Sequence, residues 1–293
     1  MSTEAGLKIT ILCDNSAGRK GVAGRNGFSA LVEGGGQRVL FDTGPGADPM
    51  LATAKALRMS LSHLDAVVIS HGHYDHIGGL GPLLQTTGPQ RVIAHPLIFR
   101  RRFSPDTSGG LREIGPPAPK ESYAALGARW VLAEDPLWIG EKFFVTGEIP
   151  LAVSERLAGG LLAEEAGRLA TDDFRDEIAL VLNWAQQPVV LTGCAHRGVA
   201  SIAAHARRLA GSDVIGLTVG GFHLAGQPED VVARVAERLN ELGVKAVAPC
   251  HCTGLAATGV LERVFCGRVI RPGTGDTLVL DSRGEVEIQP DAG

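Results

Sequence analysis

Short apolar runs recur along the chain, each closed by glycine, proline or a polar cluster, with stretches of helical spacing between them. Leu7 to Cys13 predicts an opening strand. Phe28 to Glu33 and Arg38 to Asp42 predict paired strands around Gly34-Gly35-Gly36, a hairpin signal. Asp48 to Arg58 predicts a helix with Leu51, Ala54 and Leu57 on one face. Ala66 to Ile69 is a short apolar run that predicts a buried strand, and Leu80, Leu83 and Leu84 fit the start of a helix. Arg91 to His95, Phe143 to Thr146, Glu177 to Asn183 and Pro188 to Thr192 follow as strands. The second half then alternates: a helix over Val199 to Leu209, a strand over Val214 to Val219, a helix over Pro228 to Leu242 and a strand over Val244 to Pro249. The Pro228 helix has the clearest pattern. Proline, Glu229 and Asp230 suit its first turn, and Val232, Val235, Ala236, Leu239 and Leu242 form its apolar stripe. The class is α/β (α+β), read as one domain over residues 1–293.

Residues 100–122 break this rhythm with Arg100-Arg101-Arg102, Gly109-Gly110 and prolines at 116, 117 and 119. They predict an irregular insert or lid. Two readings stay open for it: a solvated loop, or a segment whose arginines face an anionic substrate.

Composition narrows the partners. A hydrophobic fraction of 44% is ample for a core, while a net charge of −4 gives no basic field for nucleic acid. Aromatic residues at 5% argue against an extended base-stacking surface. The cysteines at 13, 194, 250, 252 and 266 are odd in number and unevenly spaced, which suits a reducing compartment rather than a disulfide framework. The opening Met1-Ser2-Thr3-Glu4 has no leader character, and no apolar run is long enough to span a membrane. A cytoplasmic protein with no membrane or nucleic-acid partner is expected, and assembly into homo-oligomers stays open.

The chemistry concentrates in Ser70-His71-Gly72-His73-Tyr74-Asp75-His76-Ile77-Gly78-Gly79. Three of the nine histidines fall within six positions, on a loop between a predicted strand and a predicted helix. Imidazole and carboxylate at this density point to a metal site, since both offer lone pairs in neutral or anionic form. Further candidates end later strands: Thr192-Gly193-Cys194-Ala195-His196, Gly220-Gly221-Phe222-His223 and Pro249-Cys250-His251-Cys252-Thr253-Gly254.

The H-x-H-x-D-H run resembles the signature of the metallo-β-lactamase superfamily. Phe41-Asp42-Thr43-Gly44 resembles the early element whose aspartate supports the metal loop. The resemblance spans roughly residues 8 to 285. It implies an αββα sandwich of two mixed sheets flanked by helices, and two divalent metal ions, zinc first, with manganese or iron also suited to the donors. By the same resemblance His71 and His73 match ligands of the first metal, and Asp75, His76 and His251 match ligands of the second. Where many members place a bridging aspartate, this chain has Cys194, either a thiolate ligand or an inert core residue. If the strand runs on through Ala195, His196 points to the same side as Cys194 and supplies the third ligand of the first metal. Glu148 is the other candidate for that place, and Asp176 and Glu177 are weaker ones. His223 is either a hydrogen-bonded strand-end histidine or an acid or oxyanion-binding group facing substrate. His63 and His205 are expected at the surface, and His95 is expected to line the pocket.

A narrower resemblance rests on Asp14-Asn15, Gly27-Phe28-Ser29, the metal loop, Thr146-Gly147-Glu148-Ile149-Pro150, Leu191 to Gly198, Gly220 to Leu224 and His251 to Gly254. It points to the subgroup called 7,8-dihydropterin-6-methyl-4-(β-D-ribofuranosyl)aminobenzene-5′-phosphate synthases. Arg25-Asn26 stands where the subgroup often carries a glutamate-histidine pair. The expected activity is hydrolysis of a small anionic phosphate ester or phosphodiester by a hydroxide generated on the metals, with Asp75 orienting it. The alternatives are a transferase joining a pterin diphosphate to an aryl ribose phosphate, and a non-enzymatic metal-containing binding protein.

Overall fold

The computed structural model describes residues 6–46, 49–151 and 159–289. Two large mixed sheets carry most of the predicted strands. The first runs in the order Val286–Ile288, Thr277–Leu280, Leu7–Cys13, Ser29–Gly34, Gln37–Phe41, Ala66–Val68, Gln90–Ala94, Ala128–Leu132. The second runs Arg268–Val269, Val244–Cys250, Ile215–Gly221, Gln187–Thr192, Leu180–Trp184, Phe143–Val145, Leu137–Ile139.

The apolar runs are continuous rather than alternating because both faces of each sheet are covered. In the first sheet Ala30, Val32, Val39, Phe41, Val68 and Ile93 face the second sheet, meeting Phe143, Leu180, Leu182, Leu191, Leu217 and Val219. Their sequence neighbours Leu31, Leu40, Val67 and Val92 point the other way, onto the helices Pro49–Ala56 and Leu80–Thr87. On the far side, the helices Val199–Ala210, Glu229–Glu241 and Leu255–Val264 cover the second sheet through Val199, Ile202, Val232, Val235, Leu239 and Leu261. Helix, sheet, sheet, helix is the αββα sandwich. No helix among the described residues is long and apolar enough to cross a membrane.

Each sheet has a parallel block. Gln37–Phe41, Ala66–Val68 and Gln90–Ala94 run parallel in one, and Gln187–Thr192, Ile215–Gly221 and Val244–Cys250 in the other. Their C-terminal ends release Asp42, Ser70-His71, His95, Cys194-Ala195-His196, His223 and His251 into loops. Open α/β sheets present ligand sites at that edge.

Several elements differ from expectation. The segment at 100–122 is not irregular. It holds the strands Arg102–Pro105 and Leu111–Glu113, paired in a third sheet with the hairpin Leu162–Glu165 and Arg168–Thr171, and then the helix Lys120–Ala125. Glycine and proline there mark turns, not disorder. The strand expected from Glu177 begins at Leu180, because Glu177 and its neighbours serve the site. Asp48, expected to open a helix, lies outside the described residues; the helix is described from Pro49.

Arg100, Arg101 and Arg102 are engaged by protein carboxylates. Arg102 is fully buried: Nε donates to Asp172 at 2.8 Å, Nη2 lies 2.6 Å from Asp176 Oδ1, and Nη1 donates to the carbonyls of Ile98 and Arg100 at 3.2 Å. Arg100 pairs with Asp173 at 2.9 Å, and Arg101 pairs with Glu113 and Glu164. The reading in which these side chains face an anionic substrate gives way to one in which Arg102 pins the third sheet beneath the metal loop. Removing one partner of such a buried group strands the others. Arg102→Ala is expected to lower unfolding stability by about 3–5 kcal/mol in chemical denaturation; a loss below about 1 kcal/mol, the range of surface pairs, would show that the network carries little.

Candidate metal centre

The metal loop is anchored from below by Asp42. This aspartate sits at the end of its strand in the left-handed region, φ 56°, and is fully buried. Its Oδ1 accepts the Ser70 amide at 2.7 Å, and its Oδ2 accepts the Ser70 hydroxyl and faces His76 Nδ1, both at 2.7 Å. The bond at Nδ1 fixes the His76 ring and leaves Nε2 free to face the donor cluster. Ser70 Oγ also lies 2.9 Å from His71 Nδ1, turning His71 Nε2 inward. Gly193, from the other sheet, must be glycine here: a Cβ would stand 2.1 Å from Ser70 Oγ and 2.9 Å from Asp42 Oδ2.

Beyond His71 the backbone is extended at His73 and then makes a single helical turn, Tyr74–Ile77, which presents Asp75 and His76. The Gly72 amide donates to Asp176 at 2.8 Å. Six side chains thereby converge in two sets, in each of which the ligand atoms lie within 4.8 Å of one another. His71, His73 and His196 form the first, with His71 Nε2 and His73 Nδ1 3.0 Å apart. Asp75, His76 and His251 form the second: Asp75 Oδ1 is 3.9 Å from His76 Nε2, and Oδ2 is 3.6 Å from His251 Nε2. His251 is held from behind. Its amide donates to Asp14 and its Nδ1 lies 2.8 Å from Asn15 Oδ1, which directs Nε2 to the centre.

The donor set fits cations. His73 Nε2 and both ring nitrogens of His196 are buried with no hydrogen-bond partner among the described residues. Burial of a polar atom without a partner costs free energy, and a cation taking one nitrogen of the His196 ring would recover that nitrogen's share. Burial, helped by the neighbouring rings, holds His71, His73 and His196 well below the usual histidine range, which keeps them neutral as ligation requires. Burial also opposes charge on Asp75, but His76 and His251 outweigh it and hold its carboxyl below the ordinary range.

Cys194 lies at the seam of the two sets. Its Sγ is 3.2 Å from His76 Nε2, and it groups with His71 and His76. The strand does not continue through Ala195, which is left-handed at φ 56°. Alternation therefore does not relate Cys194 to His196, and the two side chains enter different donor groups. Glu177 sets this turn: its two carboxylate oxygens accept the amides of His196 and Arg197 at 2.8 and 2.7 Å, and burial raises its pKa to about 7. Phe174 stacks on the His196 ring at 4.0 Å between centroids.

Other candidates stand apart. Glu148 points to Arg175 at 3.3 Å, and Asp176 is occupied by Arg102 and Gly72. His95 is buried and caps the turn Pro96–Phe99 through the Leu97 amide. His205, expected at the surface, is buried between Thr146 O and Arg208, because its helix packs that side on the sheet. His223 also adopts the left-handed region, φ 50°, with its ring 4.4 Å from that of His196. Glu177 as a loop clamp and Phe174 as a stacking partner were not legible as such: a carboxylate at the head of a predicted strand and a lone aromatic carry no distinguishing spacing. Asn15 lay within a quoted motif, but its role depends on a contact across 236 positions. A groove of about 420 Å³, lined in part by Asn15, His251, Gly254, Leu255 and Arg271, adjoins the second set.

This constellation at the sheet edge is that of a metallo-β-lactamase fold, and residues 22–251 match the family model of the metallo-beta-lactamase superfamily. The chain belongs to that superfamily. It is 30% identical over 283 residues to the 7,8-dihydropterin-6-methyl-4-(beta-D-ribofuranosyl)-aminobenzene-5'-phosphate synthase of Methanocaldococcus jannaschii, covering 90% of this chain and 96% of the relative. The crystal structure of Tm1679, described as a metal-dependent hydrolase of the beta-lactamase superfamily, superposes with a TM-score of 0.81 at 33% identity, covering 93% of this chain and 98% of the other. A diphosphatase of the PhnP family shares the fold at a TM-score of 0.51 and 15% identity, with 93% and 96% covered.

Two outcomes are expected. His73→Ala lowers metal content by elemental analysis while the far-ultraviolet circular dichroism stays native; unchanged metal content would remove His73 from the ligand set. Asp42→Asn weakens metal affinity about 10–100-fold, as loss of such ring-orienting partners does, and an unchanged affinity in a competitive chelator titration would contradict it. The same variant has a pH signature without metal. Burial disfavours a charged His76, but Asp42 and Asp75 outweigh it and raise its pKa to about 9. The pair therefore contributes its stability in full below about pH 6.5, the unfolded value, and loses it as pH rises through about 9. The stability gap between wild type and variant should shrink over that interval.

Proposed function

We propose that the chain is a metal-dependent hydrolase that uses two divalent cations, zinc in the first place, on a small anionic phosphate ester or phosphodiester. The observation that carries this reading is the pair of three-donor sets, which draw four of their six donors from one loop, with Cys194 grouped with a histidine of each. When bound, the cations supply Lewis acidity and lower the pKa of water toward neutrality. The chain's own residues do the remaining work. His71, His73 and His196 would hold one cation, and Asp75, His76 and His251 the other. Asp75 is the one carboxylate in the two sets; while one oxygen ligates, the other can accept a hydrogen bond from the attacking water and orient it. Asn26 Nδ2 donates to Asp75 Oδ2 at 3.2 Å, which steadies that oxygen. The fixed rings need no rearrangement as charge grows on the phosphoryl oxygens, the condition for electrostatic stabilisation. The groove beside His251 is of a size for a small-molecule ligand. The reading also includes a cytoplasmic setting, supported by the odd number and uneven spacing of the five cysteines, and no nucleic-acid or membrane partner, the former supported by the net charge of −4.

A second reading is favoured by the similarity to the methanogen synthase over nine-tenths of the chain. Here the same cations would bind the diphosphate of a pterin substrate, and the bond to the leaving diphosphate would break as an aryl ribose phosphate attacks. Fold and site are compatible with both chemistries. The two separate by product. Hydrolysis predicts release of phosphate, or of an alcohol from a diester, from a single substrate with metal-loaded protein. Transfer predicts diphosphate release only when the aryl partner is present. Hydrolysis absent across a phosphomonoester and phosphodiester panel, with partner-dependent diphosphate release, would overturn the first reading in favour of the second.

A further inference from the structure

A further group of donors lies beside the two sets and takes no part in the proposed hydrolysis. Cys194 Sγ, Cys252 Sγ and a ring nitrogen of His223 lie within 4.8 Å of one another. They come from three different strand ends, after Gln187–Thr192, Ile215–Gly221 and Val244–Cys250. The scaffold that brings them together is specific. Gly221 passes so close that a Cβ there would stand 2.7 Å from Cys252 Sγ and 3.2 Å from Cys194 Cα. Thr253 Oγ1 accepts the Phe222 amide at 3.1 Å and donates to Cys250 O at 2.7 Å, and the Ala225 amide donates to Cys252 O at 3.1 Å, so two of the loops are tied directly. His223 is held in the left-handed region, φ 50°, which a non-glycine residue adopts only when its surroundings demand it.

Two features favour a cation over simple packing. The His223 amide donates to Cys252 Sγ at 3.3 Å, an arrangement that stabilises sulfur as thiolate, the form that binds metal. His223 Nδ1 is buried with no hydrogen-bond partner among the described residues. We infer that Cys194, His223 and Cys252 form an additional, thiolate-rich site for a soft divalent cation of the zinc class, adjoining the two histidine and carboxylate sets. Two sulfurs and one imidazole make three of the four ligands of a tetrahedral site, leaving one position for water or substrate. Cys194 is shared: its Sγ faces His76 Nε2 on one side and this group on the other, and a thiolate can bridge two cations. The inference assigns His223 to a cation rather than to substrate. It rests on the metal-binding part of the proposed function but not on the reaction.

The test is cobalt(II) substitution of the full chain, followed by absorption spectroscopy and elemental analysis, on wild type, Cys252→Ser and His223→Gln. Wild type is expected to show sulfur-to-cobalt charge-transfer absorption. Cys252→Ser should lose about one metal per chain, the occupancy of one such site, and with it most of that absorption, any remainder coming from Cys194 on its His76 side. His223→Gln should lose the same metal, with native circular dichroism in both variants. An unchanged spectrum and metal content in folded Cys252→Ser would overturn the inference. So would a wild-type spectrum without sulfur character in a protein whose cysteines titrate as free thiols. His73→Ala separates this outcome from failure of the broader reading: it should deplete the histidine set and leave the charge-transfer band in place. If Cys252→Ser does not fold, His223→Gln alone decides, by retention or loss of that metal.

Discussion

The buried carboxylate of Asp42 is the contact on which the site depends. It accepts the Ser70 amide and hydroxyl and faces His76 Nδ1, with no access to water. Through these bonds it ties the end of one parallel strand to the end of the next, fixes which nitrogen of His76 is presented, and supports the serine that orients His71. A carboxylate in such a place is costly unless all its lone pairs are used. Here its partners are the loop that carries four of the six candidate donors of the two triads, so the cost of burial is met by ordering the site.

The second sheet completes what the first begins. Glu177 does for His196 what Asp42 does for His76, by a different device: it accepts two successive amides and forces the turn that presents the imidazole. Asp14 and Asn15, from the end of the opening strand, reach across to hold His251 on the other sheet. Each candidate donor thus has a polar partner, or a neighbour partnered through its backbone, that sets its direction. The cysteines occupy the seam where strand ends of the second sheet meet the loop from the first. Their sulfur chemistry distinguishes this centre from one built of imidazole and carboxylate alone.

Much of this was legible in the sequence. The apolar runs located most strands of both large sheets, since two-sided burial writes itself as continuous hydrophobicity. The H-x-H-x-D-H loop is local, so the four donors it brings together could be read directly, and the His251 strand end was marked by its motif. What escaped was non-local. Arg102 looked like one of three exposed basic residues; only the folded chain puts Asp172 and Asp176 around it. Periodicity would have put Cys194 and His196 on one side had the strand run on through Ala195, and a left-handed Ala195 broke the period. The hairpin Leu162–Glu165 and Arg168–Thr171 is short and polar, with little burial to leave a pattern. His205 was assigned to the surface because a single histidine on a helix carries no sign of which face is packed.

The most direct test of the account is anomalous diffraction from crystals of the metal-loaded protein, recorded at the absorption edge of the metal it contains. One anomalous peak enclosed by His71, His73 and His196 and another by Asp75, His76 and His251 are expected. Anomalous density absent from both triads in a protein shown by elemental analysis to carry stoichiometric metal would contradict it.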